Sequence, residues 1–128
     1  MLSNSKAFSG FAVDDLDRAR QFYGETLGLD VELLDEEHGL ATLHLAGDSD
    51  TIMYLSPGMT PASYTILNFP VDDIDQAIDD LSSRGVSFEQ YGNDDLPQDE
   101  KGVMREGGPL IAWFKDPAGN TLSVLEER

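Results

Sequence analysis

The chain contains no cysteine. Disulfides, thiolate metal sites and a cysteine nucleophile are thereby excluded. Basic residues are scarce: three lysines and five arginines stand against 25 acids, for a formal net charge of −17. Proteins that bind nucleic acid use lysine and arginine to displace counterions from phosphate, so a nucleic-acid partner is not expected. No apolar run approaches the roughly 20 residues that span a bilayer, and no membrane partner is expected either. The opening MLSNSKAFSGFAV lacks the basic start and long apolar stretch of a secretory signal. A cytoplasmic location is the default expectation. No serine has the strand-turn-helix glycine frame of an activated nucleophile. The glycine-bearing stretches GNDDL and REGGP lack phosphate-loop spacing.

What remains is an acidic, glycine-bearing chain of 128 residues, 40% hydrophobic, with 12 glycines. That length fits one domain, 1–128, able to bury roughly two-thirds of its unfolded surface without a staple. The acidity has two readings. It is a solvated surface, as in a protein of a high-salt habitat, or an acidic rim that attracts a cationic ligand.

The chain repeats itself. FAVDDLDRAR at 11–20 and FPVDDIDQAI at 69–78 align at one constant offset, with Phe11/Phe69, Val13/Val71, Asp14/Asp72, Asp15/Asp73, Asp17/Asp75 and Ala19/Ala77 identical. Each copy begins with an alternating stretch, 6–13 or 64–71, that has strand periodicity. Asp15 or Asp73 then offers a side-chain oxygen to cap a helix. Leu16, Ala19, Phe22, Tyr23 and Leu27 share one face of the first helix, and Ile74, Ala77, Ile78 and Leu81 one face of the second. Gly28 and Gly85 supply left-handed stops. Short strands follow: LDVELLDE, LATLHLAG and TIMYLS in the first copy, VSFEQYG, PLIAWFK and TLSVLE in the second. The fold class is α+β, two duplicated β-α-β-β-β modules, about 6–57 and 64–127, forming a half-barrel cavity. The polar insert at 92–108 is expected to be a mobile loop or lid.

FSGFAVDDLDRARQFYGETLGL, with its V-x-D-L-D-x-A, its Phe22-Tyr23 pair and the G-L after the helix, resembles the opening of the glyoxalase/bleomycin-resistance/extradiol-dioxygenase superfamily, the vicinal oxygen chelate proteins. AWFKDPAGNTLSVLE is similar to that family's second signature, an aromatic strand, D-P-x-G-N and a final strand. The resemblance covers nearly the whole chain. It implies the glyoxalase/bleomycin-resistance fold, a homodimer and a ligand held in the cavity. It does not imply one reaction, because one fold hosts many.

Metal-using members of that family place ligands on the first and last strand of each module. Carried over by motif, the four positions are Phe8, Met53, Ile66 and Ser123. None is histidine, aspartate or glutamate, the ligands a divalent ion of this class requires. No inherited metal centre and no cofactor are expected. The two histidines offer little instead. His38 is expected in a hairpin turn beside Glu36 and Glu37; His44 lies mid-strand and either lines the cavity or faces solvent or a second copy.

Strand parity supplies a lining. If Phe8 points inward, so do Gly10 and Ala12; Ile66 brings Asn68 and Pro70, and Ser123 brings Thr121 and Leu125. Ile111 and Trp113 share that face. The expected ligand-binding set is Phe8, His44, Met53, Ile66, Asn68, Ile111, Trp113, Thr121 and Ser123. Apolar and aromatic walls with a few hydrogen-bonding groups are the usual make-up of a small-molecule site. Side chains that simply fill the space are the alternative, although Gly10 and Ala12 leave room. No catalytic residue is assigned; Asp99, Glu100 or Glu106 serves as a general base only if the 92–108 loop closes over the cavity. Three functions stay open. The first is metal-independent binding of a small organic molecule, cationic or aromatic, as in a drug-sequestering protein. The second is a lyase, isomerase or dioxygenase with a displaced metal or an acid-base mechanism. The third is a non-catalytic regulator or scaffold.

Overall fold

Asp15 and Asp73 start the two helices in the same way. Asp15 Oδ1 accepts from the Arg18 backbone N–H at 3.0 Å, and Asp73 Oδ1 from that of Gln76 at 3.1 Å. Each carboxylate satisfies an amide that a helix start otherwise leaves without a partner. Helix α1 runs over Leu16–Gln21 and α2 over Ile74–Ser83. α1 then widens into a π-helical turn, Phe22–Thr26, closed by the Leu27 N–H on the Phe22 carbonyl at 2.9 Å. Gly28 (φ 74°) and Gly85 (φ 92°) take the left-handed conformation just past the helices, as their lack of a Cβ allows.

The computed structural model describes residues 1–92 and 97–127. It divides into two units, Met1–Thr60 and Pro61–Arg128.

The first unit holds four strands, β1 (Ser9–Val13), β2 (Asp30–Asp35), β3 (Leu40–Leu45) and β4 (Ser49–Leu55). Their spatial order is β1-β4-β3-β2, with β1 and β4 parallel and the other pairs antiparallel. Alternation along each strand splits the side chains between two faces. Phe11, Val13, Ala41, Leu43 and Met53 are buried on one of them. The Phe11 ring lies 5.6 Å from that of Tyr23, in the π-helical turn, which marks this face as the helix side. Gly10, Ala12, Thr42, His44, Ile52 and Tyr54 take the other face.

The second unit has β5 (Thr65–Pro70), β6 (Leu110–Lys115) and β7 (Thr121–Glu126) in the order β5-β7-β6, with β5 and β7 parallel. Ala112, Phe114, Leu122 and Val124 are buried, as are Ile74 and Ile78 of α2. Each such large apolar side chain withdrawn from water contributes about 1.5–3 kcal/mol. Ile66 is an extra residue in the β5–β7 ladder, between the pairs Thr65↔Thr121 and Leu67↔Leu122.

Two expectations are corrected in this unit. VSFEQYG does not form a regular strand; its contribution is a single bridge, Phe88 to Phe114. The reason is competition for one edge. The Glu89 N–H reaches the Trp113 carbonyl at 2.8 Å, while Met104 exchanges backbone hydrogen bonds with Ile111 at 2.8 and 3.2 Å. Two segments share the outer edge of β6, and each occupies only part of it.

The 92–108 insert is not a loose lid along its described part; residues 93–96 lie outside the described residues. Arg105 bonds Asp99 at 2.7 Å and Asp75 of α2 at 3.0 Å. Lys101 lies 3.3 Å from Asp75 and 3.1 Å from Asp79, one helical turn further on. Gln98 donates to the carbonyls of Glu89 and Gly102 and accepts from the Tyr91 N–H. The segment 97–105 is a strap tied to α2 and to the chain before it.

The D-P-x-G-N signature is a tight turn with a structural task. Asp116 Oδ1 accepts from the Asn120 N–H at 2.8 Å, and Asn120 Nδ2 donates to Asp116 Oδ2 at 3.1 Å. Asn120 Oδ1 then accepts from the Ala62 N–H at 3.0 Å. The turn thus pins the entry of β5. Among the described residues no helix is long and apolar enough to cross a membrane.

Candidate functional site

Backbone register places three side chains in one line across the second unit. Asn68 on β5 pairs with Ser123 on β7, and Ser123 with Trp113 on β6. All three occupy the face opposite the buried Ala112, Phe114, Leu122 and Val124. Ser123 is fully buried, and its Oγ donates to Asn68 Oδ1 at 2.6 Å. Tyr91 packs edge-on against Trp113 with ring centroids 5.6 Å apart. Burial, and after it the neighbouring Glu89, push the Tyr91 phenol's pKa up, so it stays a neutral hydroxyl. Ile111 and Leu125 form the next line of the same face.

The equivalent line in the first unit is Gly10–Ile52–Thr42. Gly10 aligns with Asn68 in the sequence repeat, and both stand on the first strand of their unit beside the last. The duplicated positions have therefore diverged. One unit carries an amide, a hydroxyl and an indole; the other carries glycine, isoleucine and threonine.

This register corrects the placement of Met53. It pairs with Phe11 and Ala41 on the helix side and is fully buried, so it lines no open face. Ile52, one residue earlier, takes the place that Ser123 has in the second unit.

The other expected lining residues fall apart into separate environments. Phe8 is 71% exposed just before β1. It borders a recess of about 730 Å³ with Lys6, Thr42, Asp50 and Ile52. Ile66 is half-buried at the bulge of β5. Thr121 is buried, and its hydroxyl donates to the Ala62 carbonyl at 3.1 Å.

His44 is held between two carboxylates. Its Nε2 lies 2.8 Å from Glu32 Oε1 and its Nδ1 3.0 Å from Asp50 Oδ1. A carboxylate only accepts, so two such contacts favour the doubly protonated ring. Hydrogen bonding to Glu32 first, then to Asp50, raises its pKa above the ordinary 6.5. It links β2, β3 and β4 on the open face of the first unit. His38 sits in the β2–β3 turn, exposed, 2.7 Å from Asp35. Of the acids considered as general bases, Asp99 is engaged by Arg105, Lys101 N–H and Val103 N–H; Glu100 and Glu106 are exposed.

The family model for the glyoxalase/bleomycin resistance protein/dioxygenase superfamily matches residues 8–124. The chain belongs to this superfamily. Superfamily relatives span binders and enzymes. The uncharacterized protein YraH of Bacillus subtilis (strain 168) is 28% identical over 129 residues, covering 89% of this chain and 91% of that one. The Arabidopsis thaliana lactoylglutathione lyase GLX1 is 24% identical, and the match covers 91% of this chain but 42% of the lyase. Against the lyase, then, the chain spans less than half the relative's length. Among solved structures, TnmS3, an antibiotic binding protein from Streptomyces sp. CB03234, superposes with a TM-score of 0.68 at 26% identity, covering 98% of each chain.

The residues do not fit the superfamily's metal. Phe8, Ile66 and Ile52 (or Met53, the position reached by sequence alignment) offer hydrocarbon or a buried thioether where oxygen or imidazole is needed. Ser123 Oγ is neutral and has given its hydrogen to Asn68. Among the described residues no group of three or more histidines and acids is arranged to hold an ion.

Sequence reading missed two participants. Tyr91 lies in a segment whose pattern predicts one more strand, although an aromatic beside a polar insert is a usable signal. The acids flanking His44 were visible by alternation, since Glu32 and Asp50 fall on its face once the hairpins are in register.

Proposed function

We propose that the open face around Asn68, Ser123 and Trp113 binds a small, planar organic molecule, and that the protein acts as a metal-independent sequestering protein. The observation that carries this reading is the line itself. A buried hydroxyl and an exposed amide sit beside an indole that a second aromatic ring, Tyr91, holds from its edge. Apolar walls with a few fixed polar groups are what small-molecule sites are made of. Such a face can stack a flat ring and orient it, and among the described residues it holds no group poised to take a proton from it. The likeness to an antibiotic binding protein over the full length is consistent with this role. The acidic excess favours neutral or cationic molecules over anionic ones.

Trp113 is the chain's one tryptophan, so its fluorescence reports on this face alone. A panel of planar aromatic compounds, neutral and cationic, titrated against the untagged protein should yield at least one saturable change. Trp113→Ala should weaken that ligand, followed by calorimetry, about tenfold or more. Unchanged affinity in Trp113→Ala, or no binder in a broad panel, would overturn the reading.

A further inference from the structure

We infer that Asn68 is the specificity-determining residue of this face, and that it selects ligands carrying a neutral oxygen acceptor, such as a ring carbonyl. The inference rests on the binding role proposed above for the same face.

Ser123 Oγ is fully buried and has one hydrogen, which it donates to Asn68 Oδ1 at 2.6 Å. Among the described residues the Ser123 hydroxyl has no other acceptor, and that favours the amide orientation in which Oδ1 faces it. Oδ1 is turned toward β7, and Nδ2 with its two hydrogens is turned away from it. Nδ2 has no acceptor among the described residues. Asn68 is exposed, so water serves these donors in the free protein. A flat molecule laid along the line from Trp113 displaces that water. If its edge carries a carbonyl, the hydrogen bond is restored; if its edge is hydrocarbon, the donors are left without a partner. A cationic nitrogen cannot accept from the amide at all. A carboxylate can, but it meets a chain of net charge −17. The neutral acceptor is the chemistry that remains. Ser123 acts as the positioning residue, because without its hydroxyl the amide is free to turn over. The first unit has no such device, since its corresponding residue is Gly10.

The test uses two flat probes that differ by one carbonyl, 9-fluorenone and fluorene, each titrated into the full chain by Trp113 fluorescence and checked by calorimetry. The expected result is that fluorenone binds about tenfold tighter than fluorene. Asn68→Leu should bring the ratio to about one, chiefly because fluorene no longer strands two donors and binds more tightly, and Asn68→Asp, which has no amide hydrogens, should abolish the preference too. Ser123→Ala should shrink the ratio partway. Equal binding of both probes to the unaltered protein, or a ratio that survives Asn68→Leu, overturns the inference and leaves the binding face standing. If neither probe binds, this inference falls, and the binding face falls with it only if the broad panel also yields no binder.

Discussion

Arg105 Nε lies 2.7 Å from Asp99 Oδ2, and the same guanidinium reaches Asp75 on α2 at 3.0 Å. One side chain thus closes the strap on itself and ties it to the helix. Burial alone would raise the Asp99 pKa; hydrogen bonds from Arg105, Val103 and Lys101 outweigh it and hold the carboxyl below its ordinary 3.8. A depressed carboxylate stabilises the fold above that ordinary value, and the contribution is lost as pH falls through the depressed one. Arg105→Met should therefore speed amide hydrogen exchange at Lys101 and Val103 by about threefold to tenfold at neutral pH. The same amides in the unaltered protein should loosen only below about pH 4. Exchange that is indifferent to both changes would show that the strap is held by Met104 and Gln98 alone.

Asn120 and Asp116 are buried and bonded to each other, and Asn120 also holds Ala62. Asn120→Ala leaves the Ala62 N–H and the Asp116 carboxylate short of a partner, at a cost of about 2–3 kcal/mol in urea unfolding. Gly119 has φ 94°, and a Cβ there would lie 3.0 Å from Pro61 Cγ. Gly119→Ala should cost about 1–3 kcal/mol, from a conformation that side chains resist and from the contact with the proline ring.

Ile52 and Met53 are neighbours in sequence and opposites in space. Met53 is fully buried on the helix side, so Met53→Ala should cost about 2–4 kcal/mol. Ile52 is half-exposed, so Ile52→Ala should cost less than about 1.5 kcal/mol. Thermal unfolding of the pair decides the register. Equal losses would place Met53 on the open face after all.

His44 predicts a pH dependence of its own. Its pKa is raised by Glu32 and Asp50, so its contribution is full below the ordinary 6.5 and is lost as pH rises through the raised value. The Tm should fall across that alkaline window in the unaltered protein. His44→Gln should be less stable at pH 6 and should flatten this part of the profile. Ring resonances followed by NMR should show His44 titrating above pH 6.5, with both ring nitrogens protonated at pH 6.

Local chemistry was legible in the sequence. Asp15 and Asp73 cap their helices three residues ahead, and Gly28 and Gly85 end them, because these effects act within one turn of chain. The line of Asn68, Ser123 and Trp113 was also within reach, because D-P-x-G-N anchors the parity of β7. The first module has no such anchor. Its β4 begins at Ser49, after a turn whose Gly47 and Asp48 both have positive φ, and matching TIMYL to TLSVL slipped it by one residue. A slip of one moves every side chain to the other face, and that is how Met53 was misplaced. The strap was unreadable for a different reason. Arg105 and Asp75 are 30 positions apart, and nothing in a polar stretch says which acid an arginine will meet.

In both units the first strand lies parallel to the last. Ser9 stands beside Thr51, and Thr65 beside Thr121. Neither ladder can close until its final strand exists, and pairings so distant along the chain form slowly. During synthesis the N-terminal half has everything it requires once Leu55 has left the ribosome. Its twin must wait until Glu126 has emerged, with β5 exposed and unpaired on β7's side in the meantime, an interval in which an open strand edge is prone to pair wrongly.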